Sequence, residues 1–218
     1  MVLCRMKAMK RNFDKEAAAW DDKPQRIKLV QNIADAITGE IHLTASMNVL
    51  DFGCGTGLLT MQLQPFVRFI TAVDSSSGML DVLNDKIKKQ NVTNVKIRLL
   101  DIEKGGVLEG RYDLITSSMT FHHIKNIRFV LNRFYDILAP AGKLCIADLD
   151  ADQGQFHENN DGVFHFGFDR EILSSMLKEA GFRDVRYRTA ASVIKPVQGS
   201  QERAFTVFLA TAGKFRDQ

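Results

Sequence analysis

From Met47 onward, short apolar runs alternate with longer amphipathic segments. This alternation is typical of βαβ units, in which parallel strands form one sheet and the intervening helices cover its faces. The apolar runs predict seven strands, at residues 48–52, 69–74, 95–100, 112–117, 143–148, 185–189 and 204–211. The amphipathic segments predict helices at residues 57–63, 77–90, 127–138 and 169–180. The pattern therefore indicates an α/β fold.

One further helix is predicted ahead of the first strand. Pro24 suits the first turn of a helix, and Ile27, Val30, Ala34 and Ile37 recur at helical spacing. The pattern predicts a helix at residues 24–38, and we expect the residues before it to form a mobile arm.

The last two predicted strands are joined without a helix. Residues 192–202 are polar and contain Pro196 and Gly199, so a crossover helix does not fit there. Strands joined in this way pair antiparallel. The prediction is a mostly parallel seven-stranded sheet in which the last strand is reversed.

Composition and charge limit the kinds of partner. The chain has 218 residues, of which 45% are hydrophobic, as in an ordinary globular domain. No apolar run approaches the roughly 20 residues that cross a bilayer, and the N-terminus lacks a secretory pattern, so we expect a cytoplasmic protein without a membrane span. The balance of 29 basic against 26 acidic residues does not favour nucleic acid. Three separated cysteines predict neither a disulfide framework nor a metal site.

The motif with the clearest chemical meaning is the segment 49–57, VLDFGCGTG. An apolar strand there runs into Gly53, Gly55 and Gly57 and then into a helix. Such glycines adopt backbone angles closed to other residues and allow a ligand to lie against the main chain, beside the positive end of the helix. The turn predicts a nucleotide or nucleoside site.

Two observations separate the possible ligands. The dinucleotide fingerprint G-x-G-x-x-G would require glycine at Leu58 or Thr60. In addition, Asp51, Asp74 and Asp101 end the first three strands, where they would repel a pyrophosphate and attract a ligand with hydroxyls, an amino group and positive charge. The pattern favours a sulfonium nucleoside over NAD.

Together these segments resemble the class I S-adenosylmethionine-dependent methyltransferases, and among them the small UbiE-like or methyltransferase 11/25 type. The resemblance covers about residues 13–212 and rests on residues 49–57, 73–75, 100–102, 112–118 and 138–144. It implies a Rossmann-like, doubly wound domain at residues 41–218, with residues 1–40 as an arm and helix covering the donor site. It also implies S-adenosylmethionine as the cofactor.

The resemblance assigns a role to each residue of the donor site. Gly53, Cys54 and Gly55 would lie against the methionine part, which the backbone of Ser117 would also hold. On the nucleoside side, Asp74 would bind the ribose hydroxyls, Met79 would pack on adenine, and Asp101 with the Ile102 amide would read the adenine amino edge. The same motifs add three residues to the predicted site: Asp51, Gly57 and Ser75. The alternatives are strand-end capping or surface solvation for the acids and plain helix packing for Met79.

The sequence gives fewer indications of the residues that bind the methyl acceptor. His123, and as second choice His122, follow the fourth strand and are candidates for a general base; the alternative is a helix cap or a packing role. The segment 150–168, which mixes aromatic and polar residues, is either a cover of the acceptor pocket or a surface loop. Phe13 and Trp20 of the arm are candidate lid contacts, with ordinary packing as the alternative.

Absent motifs narrow the acceptor. The fourth strand ends without the Pro-Pro-aromatic sequence used to methylate nucleobases or glutamine in related enzymes, and the cysteines are too few for arsenic methylation. The leading hypothesis is methyl transfer to a small molecule at oxygen, nitrogen or carbon. The alternatives are an NAD-dependent oxidoreductase and a non-catalytic S-adenosylmethionine-binding protein. The sequence leaves the oligomeric state open.

Overall fold

The computed structural model describes residues 12–197 and 202–215, in which one sheet is flanked by helices. The strands are β1 (Asn48–Phe52), β2 (Phe69–Asp74), β3 (Val95–Leu99), β4 (Tyr112–Ser118), β5 (Leu138–Leu149), β6 (Arg183–Pro196) and β7 (Glu202–Gly213). The α-helices are α1 (Phe13–Glu16), α2 (Pro24–Glu40), α3 (Leu58–Leu63), α4 (Ser77–Lys89), α5 (Ile127–Ile137) and α6 (Arg170–Glu179). Short 3-10 helices lie at Ala17–Asp22, Gln64–Phe66, Ile102–Lys104 and Phe121–His123.

The sheet has the strand order β3-β2-β1-β4-β5-β7-β6. The first five strands pair in parallel, and β7 lies antiparallel between β5 and β6. This confirms the predicted fold class, including the reversed last strand. The order reverses between β1 and β4, and ligands of open α/β sheets bind at such a switch point, outside the carboxyl ends of the strands.

Strands β5, β7 and β6, which are neighbours at one end of the sheet, are longer than predicted. Strand β7 pairs with β6 from Gly213 opposite Arg183 to Glu202 opposite Pro196, well beyond the apolar runs. The ladder hydrogen bonds hold polar residues such as Lys195 and Arg203 in strand conformation, although their sequence lacks an apolar alternation. Pairing across the hairpin, rather than burial, extends these strands.

Both faces of the sheet are covered. On one face α5 buries the predicted apolar stripe, with Val130, Leu131 and Phe134 packed into the larger core. On the other face Ile33 and Ile37 of α2 pack against the sheet. Burial on both faces explains why the central strands are nearly continuous apolar runs.

Residues 12–22 are helical and attached to the domain, where the sequence predicted a mobile arm. The Asp14 carboxylate accepts hydrogen bonds from Ser76 Oγ (2.6 Å) and from the amide of Gly78 (2.8 Å). Apolar patterning gives no signal for such polar attachments between distant residues. No helix in the part of the chain described here is both long and apolar enough to cross a membrane.

Candidate active site

A cavity of about 760 Å³ opens at the carboxyl edge of the sheet, within the size range of small-molecule sites. One half is formed by the loop after β1 and the ends of β2 and β3. The other half is formed by residues 12–30, the turn after β4, the segment 156–164 and part of β6. The cavity therefore joins the predicted donor residues to both segments that the sequence left without a clear role.

The three glycines of the loop after β1 have positive φ angles, but they serve different purposes. A Cβ on Gly53 would lie 2.3 Å from Thr120, and one on Gly57 would lie 2.2 Å from Leu83. These two glycines are required by packing. A Cβ on Gly55 would have no atom within 4 Å, and Gly55 lines the cavity. The backbone at Gly55 is thus a cradle that leaves room for a ligand, as a bound nucleoside donor requires.

Asp74, at the end of β2, connects this cradle to α4. Its carboxylate accepts hydrogen bonds from the amides of Gly55 (2.8 Å) and Ser76 (2.9 Å). Burial raises the pKa of Asp74, and these amide hydrogen bonds partly oppose that rise. Asp74 also lines the cavity, so the same carboxylate shapes the loop and faces the ligand space.

Asp51 lies deeper, beneath the glycine loop. Its carboxylate is 1% exposed and accepts hydrogen bonds from Thr60 Oγ1 (2.5 Å) and Thr116 Oγ1 (3.2 Å). Burial raises the pKa of Asp51 to about 6, although the two threonine hydroxyls act in the opposite direction. Near neutral pH this buried group places negative charge at the cavity floor.

The remaining nucleoside-side residues are brought to the same cavity: Ser75, Met79, Asp101 and Ile102. Asp101 accepts a hydrogen bond from the Glu103 amide (3.1 Å) and so also caps the following 3-10 helix. Met79 is 2% exposed and belongs to the buried face of α4. Asp101 therefore caps a helix and Met79 packs in the core, and both residues also line the cavity. The thiol of Cys54, also in the wall, has its pKa raised well above the ordinary value by burial.

His122 and His123 occupy the 3-10 turn after β4 and line the cavity. The Nδ1 atom of His122, which is 1% exposed, lies 2.7 Å from Asp148 Oδ1. The His123 Nδ1 atom lies 2.7 Å from the carbonyl of Gly162, and the two rings are 4.1 Å apart. Neither histidine caps α5, because Asn126 accepts the capping hydrogen bond from Phe129. The helix-cap alternative is therefore excluded.

Comparison with known proteins decides the family. Residues 12–187 match a family model described as a methyltransferase domain. The chain belongs to the class I S-adenosylmethionine-dependent methyltransferases. The predicted family and its cofactor, S-adenosylmethionine, are thereby confirmed.

Individual members of this family are similar to part of the chain. An uncharacterized methyltransferase of Schizosaccharomyces pombe is 33% identical over 151 residues, which are 62% of this chain and 53% of that protein. A malonyl-[acyl-carrier protein] O-methyltransferase of Bacillus cereus is 32% identical over 139 residues, 62% of this chain and 50% of that protein. The chain thus spans about half the length of these curated relatives.

A solved structure shows the same fold. The Haemonchus contortus phosphoethanolamine N-methyltransferase 2, in complex with S-adenosyl-L-methionine, superposes with a TM-score of 0.69 at 17% identity. The match covers 94% of this chain and 60% of that one.

Two predicted donor residues lie outside the cavity wall. Gly57 packs against Leu83, as described above. Ser117 is buried, and its hydroxyl donates to the carbonyl of Phe52 (2.9 Å). Because β4 continues to Ser118, the residues that line the cavity after this strand are Ser118, Met119 and Thr120 instead. The donor contact of the Ser117 backbone stays a prediction.

Asp148 was missed by sequence reasoning. It lies in β5, is fully buried, and accepts hydrogen bonds from the amides of Leu149 (2.7 Å) and His122 (3.3 Å). Burial acts to raise the pKa of Asp148, but the His122 imidazole and these hydrogen bonds outweigh it, so the pKa lies below its usual range. An acid inside the apolar run CIADLD was the available signal. His122 thus has a buried acidic partner, whereas the contact of His123 Nδ1 is a backbone carbonyl.

The segment 150–168 forms part of the cavity wall through Phe156, His157 and Phe164. Asp152 holds its shape by accepting from the amides of Gly154 (2.9 Å) and Phe156 (2.8 Å). The His157 ring lies 5.0 Å from that of His122. From the arm, the Phe13 ring contacts His123 edge to face at 5.1 Å. Arm and segment therefore meet at the histidine turn.

Proposed function

We propose that this chain transfers a methyl group from S-adenosylmethionine to a small-molecule acceptor. The observation that carries the proposal is the continuity of one cavity, which runs from the Gly55 cradle to His122, whose ring is hydrogen-bonded to the buried Asp148 behind it. A protein that only binds the donor would need only the half of the cavity at the glycine loop.

The donor would lie on the glycine loop, with Asp74 and Asp101 toward the nucleoside and Asp51 beneath the loop. Bound there, S-adenosylmethionine supplies a methyl group on a positively charged sulfur. The carboxylates of the chain favour that charge, and the cradle orients the methyl group toward the space beside His122. The cytoplasm is the expected compartment, and the oligomeric state is left open.

A small acceptor is favoured by the walls of the second half. The cavity must hold donor and acceptor together, and residues 12–20 and 156–164 line it on the acceptor side. The near balance of basic and acidic residues gives no support for a nucleic-acid acceptor.

The two alternatives are less well supported. An NAD-dependent oxidoreductase would place a pyrophosphate among Asp51, Asp74 and Asp101, where like charges repel it. A non-catalytic donor-binding protein gives no role to the space bounded by His122 and Phe156.

Calorimetry followed by a turnover assay tests the proposal. We expect the chain to bind S-adenosylmethionine and S-adenosylhomocysteine and to bind NAD weakly or not at all. In the presence of a small-molecule filtrate from cells, the chain should convert S-adenosylmethionine into S-adenosylhomocysteine. Tighter binding of NAD would contradict the proposal, and donor binding without any turnover would favour the non-catalytic alternative.

A further inference from the structure

The pair formed by His122 and Asp148 has a defined arrangement of protons. An ionised carboxylate only accepts hydrogen bonds, so the 2.7 Å contact from Asp148 Oδ1 to His122 Nδ1 requires the proton on Nδ1. In the neutral ring, Nε2 then carries the lone pair. The amide of His122 donates to the second oxygen of Asp148 at 3.3 Å, which fixes the ring against its own backbone. Asp148 thus makes His122 a proton acceptor in one tautomer.

The groups that face His122 come from three elements. Asp148 belongs to β5, His123 to the same 3-10 turn, and His157 to the segment 150–168, with ring centroids 4.1 Å and 5.0 Å from His122. Among these three, Asp148 is the single anion. An imidazolium formed at His122 would lie beside this carboxylate, which stabilises its charge.

A base of this kind implies something about the acceptor. A carboxylate already offers a lone pair and is methylated without losing a proton. A hydroxyl must lose its proton as the new bond forms, and a positioned imidazole accelerates that step. The buried pair is therefore expected for an acceptor that is protonated at neutral pH.

The aromatic walls argue against a positively charged acceptor. Ammonium ligands are bound on the faces of aromatic rings, but Arg26 already lies 3.7 Å from the ring centre of Trp20 and Lys195 lies 4.0 Å from that of Phe156. All four residues line the cavity. Because the chain's own cations cover these faces, an incoming ammonium would meet like charge, whereas a neutral or anionic molecule would not.

We propose that Asp148 is a positioning residue that makes His122 the general base, and that the acceptor is a phenolic or enolic hydroxyl compound. This inference rests on the proposed function. The hydroxyl proton passes to Nε2 of His122 while the oxygen forms a bond to the methyl carbon. The carbon–sulfur bond breaks, its electron pair stays on sulfur as the thioether, and the imidazolium is held by Asp148 until it loses its proton to water. A phenol, with a pKa of about 10, is acidic enough for imidazole to assist.

The acceptor class is tested by product chemistry. The full chain is incubated with methyl-labelled S-adenosylmethionine and a small-molecule filtrate from cells, and the labelled products are treated with alkali. We expect a methyl ether, which is stable to alkali and does not become basic. A labelled ester, a methylated amine or a carbon-methylated product would each overturn the inference. No product despite bound donor would instead contradict the proposed function.

The role of Asp148 is tested by exchanging its carboxylate for an amide. We expect Asp148→Asn to lower kcat by roughly 10²- to 10⁴-fold, the usual range for lost general-base assistance, with little change in donor affinity. Activity should recover in part as the pH approaches the pKa of the phenol, because the acceptor then ionises unaided. A matched control is Asp113→Asn, since the Asp113 carboxylate also accepts a hydrogen bond from a backbone amide, that of Asn48 (2.8 Å), but is remote from the cavity lining. Unchanged kcat per folded molecule in Asp148→Asn would leave Asp148 with a structural role only.

A spectroscopic measurement keeps the inference testable if that variant does not fold. In the wild-type chain bound to S-adenosylhomocysteine, ¹⁵N-labelled histidine spectra report which ring nitrogen of each histidine is protonated. We expect the proton of His122 on Nδ1. A proton on Nε2 in the neutral ring would overturn the inference, whatever the behaviour of the variants.

Discussion

The two halves of the cavity are formed by different kinds of structural element. The donor half consists of strand ends and a loop whose backbone amides bind the carboxylate of Asp74. The acceptor half consists of the short helices of residues 13–22 and the irregular segment 156–164. Asp14 and Asp21 attach the helices to the domain by hydrogen bonds, and Asp152 holds the shape of the segment. A half fixed by the sheet presents the same geometry wherever the fold recurs, whereas a half fixed by individual side chains can differ from one chain to the next. We therefore expect the chemistry common to the family to lie in the first half and acceptor selection to lie in the second.

The largest effect is expected from filling the cradle of the donor half. Gly55→Leu should reduce affinity for S-adenosylmethionine by at least about 1,000-fold, roughly 4 kcal/mol, because the side chain enters the ligand space. Calorimetric titration measures the loss. Gly105→Leu is a matched control, since Gly105 also has a positive φ angle and open space at its Cβ position but does not line the cavity. Similar losses in both variants would show that backbone strain, rather than the donor position, is responsible.

The buried acid of the donor half should make stability depend on pH. The pKa of Asp51 is raised from 3.8 to about 6, so the folded state holds its proton more tightly than the unfolded state. Its contribution to stability is complete below about pH 4 and is lost as the pH rises to about 6, a change of at most about 3 kcal/mol. The advantage of Asp51→Asn over wild type in urea unfolding should grow across this interval. An advantage that does not vary with pH would contradict the elevated pKa.

The two nucleoside-side acids should differ in their contribution to donor binding. Asp74→Ala should weaken binding by about 100-fold and Asp101→Ala by about tenfold. A carboxylate that takes two ribose hydroxyls makes two charge-assisted hydrogen bonds, whereas one amino group offers a single bond. The Asp74 carboxylate also accepts a hydrogen bond from the Gly55 amide, so Asp74→Ala should weaken donor binding further by loosening the glycine loop. Equal losses in a calorimetric comparison would remove the ribose assignment from Asp74.

A smaller effect is expected where the arm meets the donor half. The Asp21 carboxylate accepts a hydrogen bond from Thr56 Oγ1 (2.7 Å) and forms an ion pair with Lys86 (2.5 Å). The side chains of Asp21 and Lys86 are both partly exposed. Asp21→Asn should raise the KM for the donor about three- to tenfold, and less so in high salt, which already screens the ion pair. Asp35→Asn serves as a control, because Asp35 is an exposed acid of α2 that accepts only a local hydrogen bond from Gln31. If the two variants behave alike, the arm does not affect the donor.

The sequence and the structure agree most closely where local patterns decide the outcome. Strands β1 and β2 begin and end at the predicted residues, because each is a short apolar run bounded by turn residues. The contact between Asp148 and His122 joins residues 26 positions apart in β5 and in the turn after β4. That between Asp14 and Ser76 joins residues 62 positions apart. Such contacts depend on how elements are placed in space, and no residue pattern within a single segment specifies them.

The attachment of the arm has a consequence for the order of events in a catalytic cycle. Asp14 binds the start of α4, and Asp21 binds the glycine loop and Lys86, so the arm is fastened to the two elements that hold the donor. The arm also lies flush on α4, since a Cβ on Gly78 would be 2.9 Å from the Asp14 Cα. Because this fit leaves no room to slide, we expect the arm to detach as a unit when a spent donor leaves. Residence time of the product, rather than the speed of bond formation, is then the quantity that this attachment controls.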